Sequence, residues 1–141
     1  HGKYPAYIAC NLYGRKGTMF YSMIKHRKGG YPYITQDGGD REDGPDQYVA
    51  NVCDGAVMGY KYFDLADTKE IRINIKGNAD GVVTVKDGDG PDAVQLSEIR
   101  VSGAGSGKEF VGKLDNVKNG QALFFSFKGK GAFKFLSFEL K

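Results

Sequence analysis

Hydrophobic and polar residues alternate along much of this chain with the period of a β-strand. In residues 70–76, Ile71, Ile73 and Ile75 are separated by polar residues, which places all three on one buried face of a strand. No window of a dozen residues shows helical spacing of apolar positions without a glycine interruption. Further strands are predicted between turns rich in glycine and aspartate, at residues 7–12, 19–24, 48–52, 58–65, 82–86, 94–101, 122–127 and 133–140.

About nine short strands with frequent turn signals predict an all-β fold, namely a mostly antiparallel β-sandwich of the jelly-roll type. Residues 128–131, Lys-Gly-Lys-Gly, predict a short turn between the last two strands. A shift in composition from a basic run at 25–28 to an acidic stretch at 37–46 predicts a domain boundary. We expect residues 1–30 to be an N-terminal hairpin or a joining segment, and residues 31–141 to form the main sandwich.

Composition and charge narrow the function classes. Glycine accounts for 21 of 141 residues, which fits many tight turns, and tryptophan is absent. The net charge of +3 is too mild to indicate a nucleic acid or an anionic membrane as the main partner. Because the chain begins at His1 rather than Met, we expect it to be a processed product or an excised piece, from which a signal peptide could have been removed.

The residue types that usually carry catalysis or metal binding lack a recognisable spacing. Cys10 and Cys53 are compatible either with one disulfide or with two separate core positions, and neither lies in a metal-binding motif. The glycine-rich residues 103–108 resemble the end of a phosphate-binding loop, but Ser102 and Glu109 break that pattern. We therefore expect a flexible loop there and predict that the chain is not an enzyme.

Acidic residues and aromatic residues each leave two interpretations open. The carboxylates of residues 37–46 could bind calcium or could simply be solvated turn residues. Tyr48, Tyr60, Tyr62 and Phe110 lie near predicted strand ends or loops, where an exposed ring could stack on the flat face of a sugar. For each of these rings taken alone, a position in the core is the favoured interpretation.

Several segments carry a resemblance to a known family: residues 32–38, 46–51, 54–64, 120–127 and 135–140. Over these segments the chain resembles the family 6 carbohydrate-binding modules, most closely those appended to family 43 glycoside hydrolases. The first 30 residues look like the joining region, or the last strands, of such a hydrolase. The resemblance therefore implies a catalytic glycoside hydrolase domain on the same parent chain as a partner.

The resemblance also implies a binding cleft and its residues. Members of the family hold a sugar with a Tyr, a Trp and an Asn at one end of the sandwich. In this sequence those positions fall at Asn51, with Tyr48 nearby, at Lys108, with Phe110 two residues on, and at Lys134. We expect these five residues to contact carbohydrate, with plant cell-wall polysaccharide such as xylan or arabinoxylan as the ligand.

A structural calcium ion near the first strand is a further feature that the resemblance raises. Family members hold it with an acidic residue in that region and an Asp in the last strand. Asp37 matches the first ligand, whereas Leu136 stands at the position of the second. Asp37 is therefore the predicted metal ligand, and the calcium ion itself is left open.

Three functions are compatible with the sequence. The favoured hypothesis is a secreted, non-catalytic module that binds a polysaccharide or oligosaccharide for an attached glycoside hydrolase. The alternative is a structural accessory domain that packs on a catalytic domain without binding sugar itself. A small β-sandwich hydrolase would need a carboxylate pair at one cleft, and the sequence singles out no such pair.

Overall fold

The computed structural model of the chain describes residues 2–6, 9, 11–14, 17–18, 33–36, 47–88, 90–103 and 105–141. These residues contain eleven β-strands, and their recorded pairings are all antiparallel. No helix among the described residues is long and apolar enough to cross a membrane. The strands are β1 (Gly2–Pro5), β2 (Asn11–Gly14), β3 (Gly17–Thr18), β4 (Tyr33–Gln36), β5 (Gln47–Cys53), β6 (Val57–Phe63), β7 (Glu70–Gly77), β8 (Ala79–Lys86), β9 (Gln95–Ser102), β10 (Gly105–Lys113) and β11 (Gln121–Leu140).

Some expectations from the sequence fall outside the described residues. These are the strand at 19–24, the domain boundary at residue 30, the pairing state of Cys10, and the acidic stretch at 37–46 with its metal ligand Asp37. They stay predictions.

The strands form two sheets that share β11. In sheet 1 the second half of β11 lies between β5 and β7, with β4 beside β5, β10 beside β7, and β1 along the end of β11. In sheet 2 the first half of β11 lies between β6 and β8, with β9 beside β8, and with β2 and then β3 beyond β6. The predicted all-β, mostly antiparallel sandwich is confirmed.

The passage of β11 from one sheet to the other depends on glycine. Gly129 is paired with Gly81 of β8, and a Cβ atom added to Gly81 would lie 2.7 Å from the Cα atom of Gly129. Two residues later, Gly131 has a φ of 78°, a left-handed conformation that favours glycine. The predicted turn at 128–131 is therefore wrong: these residues are extended and paired with β8. Glycines that looked like a turn signal instead allow two backbones to approach closely.

The core between the sheets is built from aliphatic and aromatic side chains. Ile71, Ile73 and Ile75 are buried, as their alternation predicted. An aromatic cluster lies beside them, in which Tyr60 contacts Phe125 and Phe138 at ring-centroid distances of 5.5 and 4.9 Å. Such aromatic pairs contribute about 0.5–1.5 kcal/mol each beyond the burial of their area.

Strand β10 covers a region for which the sequence predicted a flexible loop, so that prediction is wrong. Phe110 is paired with the buried Ile73 and packs against the core. Gly112 lies so close to β9 that an added Cβ atom would be 2.6 Å from the Cγ1 atom of Ile99. The sequence did not reveal this strand because glycines interrupt its alternation of apolar and polar residues. One of these glycines, Gly112, allows β10 to pack closely against β9. The short strands β1 and β4 were not predicted either.

Residues near the N-terminus pack on the sandwich. Strand β1 pairs with the end of β11, and the ring of Tyr4 lies 5.0 Å from that of Phe63 and 5.4 Å from that of Phe138. The buried hydroxyl of Tyr60 donates a hydrogen bond of 2.7 Å to the carbonyl oxygen of Ala6. Residues 2–6 therefore contact the same core as the later strands.

Replacing Gly81 with Ala should destabilise the protein through the close approach of β8 and β11. The added methyl group would meet the backbone of Lys128 and Gly129, and overpacking of this kind costs about 1–3 kcal/mol. Urea unfolding measures the change, with Gly90→Ala as the matched control because an added Cβ atom there meets nothing within 4 Å. Equal unfolding free energies for the two variants would mean that β8 and β11 do not approach each other closely at Gly81.

Replacing Tyr60 with Phe should also destabilise the fold, since it leaves the buried carbonyl of Ala6 without this donor. The expected loss is about 1–3 kcal/mol in the free energy of unfolding. Tyr62→Phe is the control, because Tyr62 is 68% exposed. If both variants unfolded at the same urea concentration as the parent, the hydrogen bond would not stabilise the N-terminal segment.

Candidate functional site

Strand β11 passes from sheet 2 to sheet 1 between Gly131 and Ala132, and we call this point the corner of β11. A pocket of about 380 Å³ opens on the outer face of sheet 1, beside this corner. Four strands contribute to it, namely β5, β7, β10 and β11. Its volume lies within the range that small-molecule and sugar sites occupy. The residues that line it include Tyr48, Asn51, Lys76, Gly105, Phe133 and Lys134.

A β-bulge shapes the wall of the pocket that β5 provides. Val52 is paired with Phe133 and Val49 with Phe135, so that Ala50 and Asn51 together face a single residue of β11, Lys134. Asn51 has a φ of 57°, a left-handed conformation that Asn tolerates better than most residues. The bulge thus places the backbone and side chain of Asn51 at the pocket.

Two lysines lie directly opposite each other across the floor of the pocket. Lys134 of β11 is paired with Lys76 of β7, and paired residues in antiparallel strands project to the same side. Their neighbours Phe135 and Ile75 are buried in the core, so both lysines project outward. Among the described residues, neither ammonium group forms an ion pair, and no carboxylate lines the pocket.

Tyr48, a predicted stacking residue, lies against one of these lysines. The Nζ atom of Lys134 is 5.2 Å from the centroid of the Tyr48 ring, a cation–π arrangement. The residue is only 6% exposed. The ring therefore supports Lys134 and offers little free surface on which a sugar could stack.

Lys108 and Phe110 do not join the other predicted site residues at the pocket. Lys108 is paired with the buried Ile75, so its side chain leaves β10 on the side opposite to that of Lys76. Its Nζ atom lies 5.3 Å from the centroid of the Phe110 ring, and that ring packs against the core. The structure therefore brings together Tyr48, Asn51 and Lys134, while Lys108 and Phe110 lie on the edge strand.

The same outer face carries a different set of contacts away from the pocket. At its far end, Arg72 pairs with Glu70 at 2.7 Å and with Glu109 at 3.4 Å. The hydrogen bond to Glu70, together with the neighbouring carboxylates, raises the pKa of Arg72 above its ordinary value. Between the two ends, Asn74 donates a hydrogen bond of 3.1 Å to Ser137. A cation is thus neutralised at one end of the face, whereas at the other end Lys76 and Lys134 form no ion pair with the part of the chain that the structure describes.

Two other aromatic candidates have opposite positions. Tyr60 is buried in the core, so of the two interpretations left open for this ring the core position is confirmed. Tyr62 is exposed, and it lies on β6 in sheet 2, away from the pocket on sheet 1. A second, polar pocket of about 450 Å³ lies along β9 and the end of β10, beside Glu98 and Asp115.

The described residues do not fit the metal site that the resemblance raised. Leu136, at the position of the second ligand, has no side-chain oxygen. The described residues contain no group of three or more His, Cys, Asp or Glu side chains that could hold a metal ion. The other predicted ligand, Asp37, lies outside the described residues, and its role stays a prediction.

Lys76 and Gly105 line the pocket although sequence reasoning did not single them out. Lys76 ends the alternating segment 70–76 on its polar face, so its outward direction was readable. Its partner was not, because the register between β7 and β11 is a long-range property. The sequence therefore showed an outward lysine near a strand end, next to Gly77, but not the pocket that it lines.

The chain is similar to known proteins in both sequence and fold. No family model matches the chain. A xylosidase/arabinosidase from Thermoclostridium stercorarium is 34% identical over 140 residues, which cover 99% of this chain and 29% of that protein. The chain thus spans less than a third of the length of this relative.

Solved structures of other proteins share the fold. The CBM6 module CsCBM6-3 from Clostridium stercorarium, solved in complex with cellobiose, superposes with a TM-score of 0.72 at 15% identity, over 99% of this chain and 92% of that one. A family 43 arabinoxylan arabinofuranohydrolase from Bacillus subtilis, solved with cellotetraose, matches with a TM-score of 0.60 at 16% identity, over 93% of this chain and 27% of that one. The chain therefore has the fold of the family 6 carbohydrate-binding modules.

Proposed function

We propose that this chain is a non-catalytic carbohydrate-binding module that holds an attached glycoside hydrolase on plant cell-wall polysaccharide, with xylan or arabinoxylan as the polymer. The observation that carries the proposal is the pocket on sheet 1, which polar side chains from separate strands line. The fold that holds this pocket is shared with carbohydrate-binding modules. The similarity to part of a xylosidase/arabinosidase supports the choice of polymer.

The pocket offers the contacts that a sugar needs. The amide of Asn51 can donate to and accept from hydroxyl groups, and the ammonium groups of Lys76 and Lys134 can donate to them. Gly105 carries no side chain, which leaves the rim on the β10 side low. A small and wet site of this kind binds through a few hydrogen bonds and bridging waters, so its affinity is modest.

Among the described residues, those that line the pocket provide no pair of groups of the kind that glycoside hydrolysis requires. Most glycosidases use a pair of carboxyl groups, one to donate a proton and one to act as nucleophile or base. The described residues that line the pocket include no Asp or Glu. This composition supports binding without catalysis.

The proposed function also implies a place and a partner. Plant cell-wall polysaccharides lie outside the cell that degrades them, so the module would act extracellularly. The chain matches only 29% of the xylosidase/arabinosidase, which leaves room in such a protein for a catalytic domain. We therefore propose a glycoside hydrolase domain on the same parent chain.

One observation favours a second candidate, a structural accessory domain that binds no sugar. Tyr48 and Phe110 both have a lysine over the ring, so neither presents a free stacking surface in this arrangement. A domain whose aromatic residues serve only its own packing would look like this.

Affinity electrophoresis separates these candidates. A native gel that contains xylan or arabinoxylan should retard the protein relative to a gel without polymer. Asn51→Gly should lose most of this retardation, because it removes the amide while glycine still accepts the left-handed backbone of the bulge.

The matched control is Asn116→Gly, since Asn116 has a similar φ of 60° but is absent from the pocket. The control should be retarded like the parent. Absence of retardation of the folded parent protein in every gel would instead support the structural domain. Equal retardation of both variants would move the binding site away from the pocket.

A further inference from the structure

We propose that the pocket on sheet 1 binds an acidic sugar, a uronic acid unit of the polysaccharide, whose carboxylate lies between Lys76 and Lys134. This inference rests on the proposed function and narrows its ligand. The pocket is then a charge-selective site. It recognises a polysaccharide with a neutral backbone through the acidic side groups that the backbone carries.

The first argument is the direct opposition of two positive charges. Like charges at directly paired positions of antiparallel strands are destabilising, and Lys76 and Lys134 occupy such positions. No carboxylate among the described residues that line the pocket offsets them. An anionic group that binds between them would relieve the repulsion and would gain two charge-assisted hydrogen bonds.

The second argument is the contrast along the same face of the sheet. Arg72, four residues before Lys76 on β7, lies within ion-pair distance of two carboxylates, Glu70 and Glu109. The fold therefore neutralises an outward cation at the end of this face that lies away from the pocket. At the pocket, the described part of the chain supplies no acid to either lysine, and a ligand can take that role.

The third argument is the way in which the lysines are held. The ammonium group of Lys134 lies over the ring of Tyr48, and the side chain of Lys76 runs beneath Gly107, whose added Cβ atom would be 3.7 Å from its Cγ atom. These contacts limit the positions that each charged group samples. Restricted groups lose less conformational entropy when they bind a ligand.

The size of the pocket argues for a sugar acid rather than a small free anion. A volume of about 380 Å³ is much larger than a carboxylate needs, and it has room for a sugar ring. The amide of Asn51 lies on the wall, where it can bond a ring hydroxyl while the carboxylate contacts the lysines. A sulfated sugar would offer the same charge with a different geometry, and the experiment distinguishes the two.

Isothermal titration calorimetry tests the proposal with matched ligands. The probes are xylotetraose, xylotetraose that carries one glucuronic acid side group, and a sulfated xylotetraose. At about 20 mM NaCl the glucuronic acid ligand should bind about tenfold more tightly than the neutral one, and at about 500 mM the difference should shrink several-fold through screening.

Variants assign this preference to the pocket. Lys76→Gln and Lys134→Gln should each remove most of the preference for the acidic ligand while retaining a side chain of similar length. Lys128→Gln is the control, because Lys128 is an exposed lysine of β11 in sheet 2 and should leave the preference unchanged. Thermal unfolding of each variant verifies that it is folded, and the two pocket variants provide independent tests.

The outcomes separate this inference from the proposed function. Equal binding of neutral and acidic ligands would overturn the inference and leave the carbohydrate-binding function intact. Tighter binding of the sulfated ligand than of the glucuronic acid ligand would overturn the assignment to a carboxylate. Binding of none of the ligands, with no retardation in polysaccharide gels, would overturn both.

Discussion

Strand β11 runs without interruption through both sheets and so links the two halves of the fold. This one strand is a central member of both sheets, so the sandwich can close only if β11 changes direction without losing its neighbours. The close approach of Gly129 to Gly81 makes that possible, because any side chain there would occupy the space of the other backbone. Burial of the aromatic cluster between the sheets then stabilises the bent arrangement.

The position of the pocket follows from that bend. Strands β5 and β7 flank β11 just after the corner, and the bulge at Asn51 accommodates the mismatch between β5 and β11. Side chains that alternate outward at this level are Lys76 and Lys134, since the paired Ile75 and Phe135 are turned into the core. The same alternation that builds the core therefore determines which residues line the pocket, and their charge determines what the pocket can bind.

The sequence predicted local features well and long-range ones poorly. The alternation of Ile71, Ile73 and Ile75 was sufficient to identify a strand and its buried face. Glycine misled in two places, at the corner of β11 and in β10, because the same residue permits a turn and a close approach of backbones. For the site, the resemblance indicated Asn51 and Lys134, which do line the pocket, but the pairing of Lys134 with Lys76 depends on a register that no local pattern encodes.

An NMR titration would show whether this pocket is where the protein binds carbohydrate. Backbone amide shifts would be followed while a glucuronic acid-substituted xylo-oligosaccharide is added to the isotope-labelled protein. If the ligand binds in the pocket, the perturbed amides should cluster at the lining residues Asn51, Lys76, Gly105 and Lys134. Perturbations confined to the polar pocket along β9, beside Glu98 and Asp115, or to no region at all, would contradict binding in the pocket on sheet 1.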